Sequence, residues 1–190
     1  MSNSIIQTIN SDAEKIAAAI IDSINYGENP PLGKLIGWLE DNLRSQIDLK
    51  HIDLGSTPVC GLTYHVFSKD MYVVRVDKTN PYTRQKFTVA HELGHIIGDL
   101  QLTAIAGYFD GELENVKSGL ERFCNRFAAA YLMPPEIFKR IWSMSGDKNS
   151  TQITKMLYVA SRFGVSEEAA RYRAIELGLL NYSKRDNDRN

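Results

Sequence analysis

The pentapeptide His91-Glu92-Leu93-Gly94-His95 constrains this chain more than any other stretch of the sequence. Residues four positions apart in an α-helix lie one above the other, so the two imidazoles can reach one cation. Glu92 is rotated by about 100° from His91 around the helix, which lets its carboxylate face a water molecule that the cation polarises. The pattern predicts a zinc site with ligands His91 and His95 and general base Glu92. The alternative is a partly buried helix that carries two histidines and no metal.

Bulk properties describe an ordinary globular chain. Its 190 residues suffice for one domain with a hydrophobic core and a small appendage. The 22 Lys and Arg residues and the 23 Asp and Glu residues are interspersed, so the composition indicates neither a nucleic-acid nor a membrane partner. The sequence shows no secretory signal pattern and no apolar run of membrane-spanning length. Two distant cysteines, Cys60 and Cys124, fit a reducing compartment, and we expect a cytoplasmic protein.

Two amphipathic helices are predicted within residues 1–45. Ser11 and Glu14 have the spacing of a capping box, and isoleucines follow at helical intervals. After a break at two prolines, leucines from Leu32 to Leu43 mark the second helix. Both helices are expected to serve as scaffold.

Short runs rich in β-branched and aromatic residues follow, and we interpret them as three strands within residues 46–77. The strands are predicted at Gln46–Leu54, Gly61–Phe67 and Met71–Val76. A short polar break between the last two favours a hairpin. In this hairpin we expect the apolar side chains to share one face and His65 to point to the other.

The pentapeptide falls in a helix predicted at 83–98. Gly94 and Gly98 are poor helix formers, which indicates that another backbone or the metal comes close there. Residues 99–118 show no periodicity, and we interpret them as an irregular segment, either part of a substrate cleft or an ordinary surface loop. Helical spacing resumes in a helix predicted at 119–133.

A catalytic zinc usually has three protein ligands, so the pentapeptide needs a third. A ligand shortly downstream on the same segment would be Gln101, whose neutral amide binds zinc poorly. The next helix offers the carboxylate of Glu121, with Asn125 one turn further on the same face. The Asn125 side chain can accept a hydrogen bond from the far ring N–H of a ligating histidine and fix its tautomer. We interpret Cys124 as a small buried residue and Asp99 as a candidate for lining the cleft.

Residues 85–95 and 121–134 together resemble the ImmA/IrrE family of small zinc metallopeptidases, and residues 163–173 are similar to that family's C-terminal segment. Two linked motifs are much more specific than the pentapeptide alone. The resemblance carries the ligand roles for one Zn²⁺, or alternatively Mn²⁺, onto His91, His95 and Glu121, and the general-base role onto Glu92.

The resemblance also implies a function and a fold. Family members are selective intracellular peptidases, often encoded by mobile elements, that cleave a helix-turn-helix repressor; the expected partner is thus a repressor or antitoxin-like regulator. We expect an α+β fold in which residues 1–145 form a small zincin-like domain. A short sheet of about three strands, antiparallel or mixed, packs there on several helices. A helix-turn-helix-like pair at 150–181 and a flexible tail at 182–190 complete the chain.

The sequence leaves two other functions open. It also leaves open which hydrogen-bond donor stabilises the oxyanion formed in the reaction. The chain could bind metal and inactivate a partner without cutting it, or it could bind DNA through its C-terminal helices. The last of these helices carries Arg171 and Arg173 but also three glutamates. Because duplex binding depends on neutralising phosphate charge, direct nucleic-acid binding is not expected. The candidates for contact with the oxyanion or the substrate are Tyr108, Tyr82, Arg84 and His65.

Overall fold

The computed structural model describes residues 3–100, 113–146 and 151–181. Within these ranges it contains seven α-helices and a three-stranded mixed sheet, which confirms the predicted α+β class. Contacts divide the chain into two compact units, Met1–Leu132 and Met133–Asn190. The domain limits expected from the sequence stay a prediction. In the described part of the chain, no helix has the length and apolar character needed to cross a bilayer.

Helix α1 spans Asn3–Ser23 and helix α2 spans Leu32–Leu43. The capping box expected at Ser11 is wrong, because Ser11 lies inside α1. Ile9 and Ala17, on either side of Ser11 in the sequence, are each only 1% exposed. The apolar face is therefore continuous through this position, and a continuous buried face stabilises a helix more than one local cap does.

The sheet consists of β1 (Gln46–Ile52), β2 (Gly61–Val66) and β3 (Met71–Asp77). Its strand order is β1-β3-β2, so β2 lies at an edge. β3 pairs parallel with β1 and antiparallel with β2, which confirms the expected hairpin. A 3-10 turn at Phe67–Lys69 joins the hairpin strands, and Asp70 after it adopts the left-handed conformation at φ 46°.

Two long helices follow the sheet, α3 at Tyr82–Leu100 and α4 at Leu113–Leu132. The expectation that all of residues 99–118 are irregular is wrong, because both ends of that segment are helical; its middle lies outside the described residues. Val116 and Leu120 lie one turn apart on α4, and Val116 is buried. The polar residues between them obscured this period in the sequence.

Two glycines of α3 allow a close approach to α4. A Cβ atom on Gly94 would lie 3.1 Å from the Cα atom of Cys124, and one on Gly98 would collide with Leu120. Cys124 itself is 0% exposed, as expected of a small residue at this contact. The predicted close approach of another backbone is confirmed at Gly94, whereas the group closest to Gly98 is the side chain of Leu120. α4 can therefore present its side chains to the histidines of α3.

The register of the hairpin corrects the expected orientation of His65. His65 pairs with Tyr72 and Thr63 pairs with Val74, and directly paired residues lie on the same face of a sheet. His65 therefore shares the face from which Thr63 contacts α3. Periodicity could not decide this orientation because Val73 and Val74, on opposite faces of β3, are 3% and 0% exposed.

The second unit contains α5 (Pro135–Met144), α6 (Gln152–Phe163) and α7 (Glu167–Glu176). Hydroxyls of Thr151 and Ser166 cap the last two helices, as their sequence pattern indicates. The predicted pair of C-terminal helices is therefore present.

Arg173, one of the two arginines considered for DNA contact, has a structural role within the second unit. Its side chain is 0% exposed. Nε donates to the Met133 carbonyl oxygen at 3.0 Å, and Nη1 lies 3.3 Å from Glu176 Oε2. A buried guanidinium with these partners is not available to a phosphate group, so α7 offers less positive charge than its sequence suggests.

Candidate metal centre

Three side chains with metal-ligating atoms converge between α3 and α4. Nε2 of His91 lies 3.3 Å from Glu121 Oε2, and Nε2 of His95 lies 3.4 Å from Glu121 Oε1. One ligand atom from each residue falls within 4.8 Å of the others. The helical period aligns the histidines on α3, and the close packing of α4 brings the carboxylate opposite them. Two imidazole nitrogens and one carboxylate oxygen form a donor set that zinc sites use.

Asn125 determines how His91 faces this cluster. Nδ1 of His91 lies 3.0 Å from Asn125 Oδ1. Because an amide oxygen can only accept a hydrogen bond, Nδ1 carries the ring proton and Nε2 presents its lone pair to the Glu121 carboxylate. Two acceptors facing each other require a cation or a proton between them. Burial and the neighbouring His95 lower the pKa of His91 despite opposing effects of Glu121 and Asn125, so a metal ion fits this position better than a proton.

Glu92 lies beside the cluster with its carboxylate against the edge strand β2. The residue is 5% exposed, and Thr63 Oγ1 donates a hydrogen bond to Glu92 Oε2 at 2.8 Å. Burial raises the pKa of the Glu92 carboxyl, and the Thr63 hydrogen bond counters part of that rise. A carboxylate with a raised pKa at the side of a cleft is suited to take up a proton.

These groups line one cleft of about 540 Å³. The cleft is lined by residues 58–63, by side chains of α3 and by side chains of α4. Val59 and Phe87 contribute apolar surface, and Asp99, a candidate from the sequence, also lines the cleft. The space is of the size that ligand sites commonly have, and it is lined by both apolar and charged groups.

The four candidates for an additional substrate or oxyanion contact lie in different surroundings. Arg84 lines the cleft. Tyr82, at the start of α3, is 76% exposed and is not among the lining residues. His65 also lies outside the lining and stacks on Tyr72, with ring centroids 4.4 Å apart. Tyr108 falls outside the described residues. Of the candidates that the structure describes, Arg84 is therefore the one at the cleft.

The cysteine of α4 is not suited to bind a metal as a thiolate. Burial raises the pKa of the Cys124 thiol, and the carboxylates of Glu121, Glu92 and Asp99 raise it further. The thiol stays neutral, which agrees with its interpretation as a small buried residue.

Thr63 is the site residue that sequence reasoning missed. A threonine in a strand is common and carries no signal of its own. The available signal was Gly61 two positions earlier, since a glycine inside a strand often marks a close approach of another group. That group is the Glu92 side chain: a Cβ atom on Gly61 would lie 2.6 Å from Glu92 Oε1.

The chain is similar in sequence and in fold to known proteins. The family model described as Peptidase_M78, IrrE N-terminal-like domain, matches residues 44–174. The radiation response metalloprotease IrrE of Deinococcus radiodurans is 31% identical over 134 residues, which cover 68% of this chain and 37% of that protein. The chain thus spans well under half of that relative's length. A Mycobacterium tuberculosis transcriptional regulator of known structure matches with a TM-score of 0.63 and 16% identity, over 92% of this chain and 48% of that chain. At this identity the likeness shows the fold alone.

Proposed function

Because the chain belongs to the ImmA/IrrE family of metallopeptidases, whose IrrE N-terminal-like domain it contains, we propose that it is a zinc-dependent endopeptidase. The observation that carries the proposal is the convergence of His91, His95 and Glu121 beside the buried carboxylate of Glu92. Two nitrogen donors, one oxygen donor and an adjacent base are the protein groups that metal-assisted hydrolysis requires.

His91, His95 and Glu121 would hold one Zn²⁺ per chain, with Mn²⁺ as a second candidate. When bound, zinc lowers the pKa of a water molecule towards about 7 and polarises the carbonyl group of the substrate. Asn125 keeps His91 in the tautomer whose Nε2 faces the ion.

Glu92 acts as the proton carrier of the reaction. Its carboxylate accepts a proton from the attacking water and passes it to the amine that leaves when the peptide bond breaks. The raised pKa of Glu92 favours the uptake step at neutral pH. Arg84 lies two turns before His91, about 10 Å along the helix axis, so it suits a contact with the bound polypeptide better than one with the reacting carbonyl.

The proposed substrate is a helix-turn-helix repressor or an antitoxin-like regulator, as the family resemblance implies. The cleft beside β2 has room for a peptide segment, and its apolar and charged lining suits a protein substrate. Cleavage of a repressor would release the genes that it controls, and we place this event in the cytoplasm.

The experiment compares the zinc-loaded protein with the variant Glu92→Gln in an extract of the source cells. New protein N-termini are labelled chemically and identified by mass spectrometry. We expect termini that appear with the wild-type protein and not with E92Q, with a helix-turn-helix protein among them. An extract in which wild type and E92Q yield the same termini would contradict the peptidase assignment. A partner that both proteins retain intact would favour inactivation by binding without cleavage.

A further inference from the structure

The strand β2 contacts the Glu92 carboxylate through the side chain of Thr63. Thr63 Oγ1 lies 2.8 Å from Glu92 Oε2 and 3.3 Å from the main-chain oxygen of the same residue. A hydroxyl carries one proton, so it donates to the nearer and charged oxygen. One threonine side chain thus contacts both the main chain and the carboxylate of Glu92, which ties the orientation of the side chain to the helix that carries it.

The lack of a side chain at Gly61 leaves room for the Glu92 carboxylate beside the strand. A Cβ atom there would lie 2.6 Å from Glu92 Oε1, 2.9 Å from Glu92 Cγ and 2.6 Å from Thr88 Cγ2. Gly61 therefore provides the space that the carboxylate fills. The atoms in the way belong to the side chains of Glu92 and Thr88 rather than to backbone, so a methyl group at this position would displace these side chains before it moved the strand.

We propose that Gly61 and Thr63 form a socket on β2 that positions the Glu92 carboxylate for proton transfer, with Thr63 as its hydrogen-bond donor. The inference rests on the proposed peptidase function. Thr63 does not touch the reacting atoms, so its effect passes through Glu92. A general base works only within hydrogen-bond reach of the proton that it removes, and the free rotation of a glutamate side chain would place it there only part of the time.

A purely structural role of Thr63 predicts different behaviour. In that case, replacing the residue would impair substrate binding, zinc binding and turnover together, and it would lower the melting temperature whether or not residue 92 is glutamate. Positioning predicts a selective loss of kcat, because binding of the peptide and of zinc does not depend on where the Glu92 carboxylate points. Serine keeps the hydroxyl and should restore the wild-type value, whereas valine keeps the shape without the donor.

The test uses the full chain loaded with zinc and a peptide that spans the strongest cleavage site found in the cell extract. Thr63→Val should lower kcat by about ten- to hundredfold, the effect of one hydrogen bond to a charged group, while KM stays within about twofold. Thr63→Ser should retain wild-type kcat. Gly61→Ala should lower kcat by about a hundredfold, as expected for a misplaced catalytic group. The matched control is Thr8→Val, which removes a hydroxyl that bonds to Ser4 O on α1, far along the chain from the site.

Two measurements without substrate complete the test. Competition with a chromophoric chelator should give the same zinc affinity for T63V, T8V and wild type. In the zinc-free protein, T63V should lower the melting temperature when residue 92 is glutamate. The decrease should be much smaller in the Glu92→Leu background, because the hydrogen bond between residues 63 and 92 is then already lost.

The outcomes separate the two proposals. Cleavage by the wild type with an unchanged kcat for T63V, or a loss that T63S does not restore, overturns the role of Thr63 and leaves the peptidase function standing. A T63V variant that loses zinc affinity in step with kcat also overturns positioning. Absence of cleavage by the wild type overturns the peptidase function and the positioning role with it.

Discussion

Replacement of Asn125 by leucine should weaken zinc binding by about tenfold. Asn125 Oδ1 lies 3.0 Å from His91 Nδ1, and this contact directs Nε2 of the ring towards Glu121. Leucine has a similar size but no acceptor. The ring N–H must then be satisfied by solvent, and the imidazole can turn or change its tautomer, so fewer molecules present the nitrogen lone pair to the metal.

The magnitude follows from the surroundings of this hydrogen bond. Asn125 is exposed, so water can replace its amide oxygen beside His91. The loss is then that of one neutral hydrogen bond, about 0.5–1.5 kcal/mol, which corresponds to about two- to tenfold in a dissociation constant. The looser orientation of the imidazole ring adds to this loss of zinc affinity. The expected total is about tenfold, at the lower end of the losses in metal affinity that follow when groups hydrogen-bonded to metal ligands are replaced.

The assay is competition between the protein and a chromophoric zinc chelator, at one pH and ionic strength for all variants. Asn125→Asp keeps an acceptor for His91 and should bind zinc at least as well as the wild type. The matched control is Asn42→Leu, which removes an amide that donates to the Trp38 carbonyl oxygen on α2. Equal zinc affinities for N125L and the wild type would refute the assigned role of Asn125 as the group that orients His91.

Two further predictions concern stability of the zinc-free protein. Gly94→Ala should lower the unfolding free energy by about 1–3 kcal/mol in a denaturant titration, because its methyl group meets the Cα atom of Cys124 at 3.1 Å; an unchanged midpoint would contradict the close approach of α3 and α4. The pKa of Asp77 is lowered by hydrogen bonds from the Thr79 amide and hydroxyl. The stabilisation that ionised Asp77 gives the folded protein is therefore complete above pH 3.8, the ordinary pKa of an aspartate. It is lost as the pH falls through the lower pKa that Asp77 has in the folded protein. Thermal unfolding of Asp77→Asn should show a deficit at neutral pH that disappears in acid, and a deficit independent of pH would argue against this ionisation.

Much of the candidate site follows from local sequence. The spacing of His91 and His95 places both on one helix face whatever surrounds the helix, and Glu121 and Asn125 share a face of α4 for the same reason. The glycine at position 94 indicated a close approach before any packing was known. Each of these statements depends on the period of one helix or on the properties of one residue.

Other features could not be predicted in this way. The predicted cap at Ser11 is wrong because the long buried face of α1 outweighs a local motif. The predicted orientation of His65 is wrong because β3 is buried on both faces, so its sequence does not show which face is which. The contact between Thr63 and Glu92 depends on the register of an edge strand relative to a helix that follows it in the chain. No local pattern contains that register.

The sequence by itself therefore determined the donor groups of this protein and the helix faces on which they lie. The tertiary structure alone decided which faces meet: α4 against α3 at Gly94, and β2 against Glu92 at Gly61. The physical reason is the range of the interactions. Helical and strand periods arise from hydrogen bonds and sterics between near neighbours in the chain, whereas the meeting of two faces depends on close packing between side chains far apart in sequence.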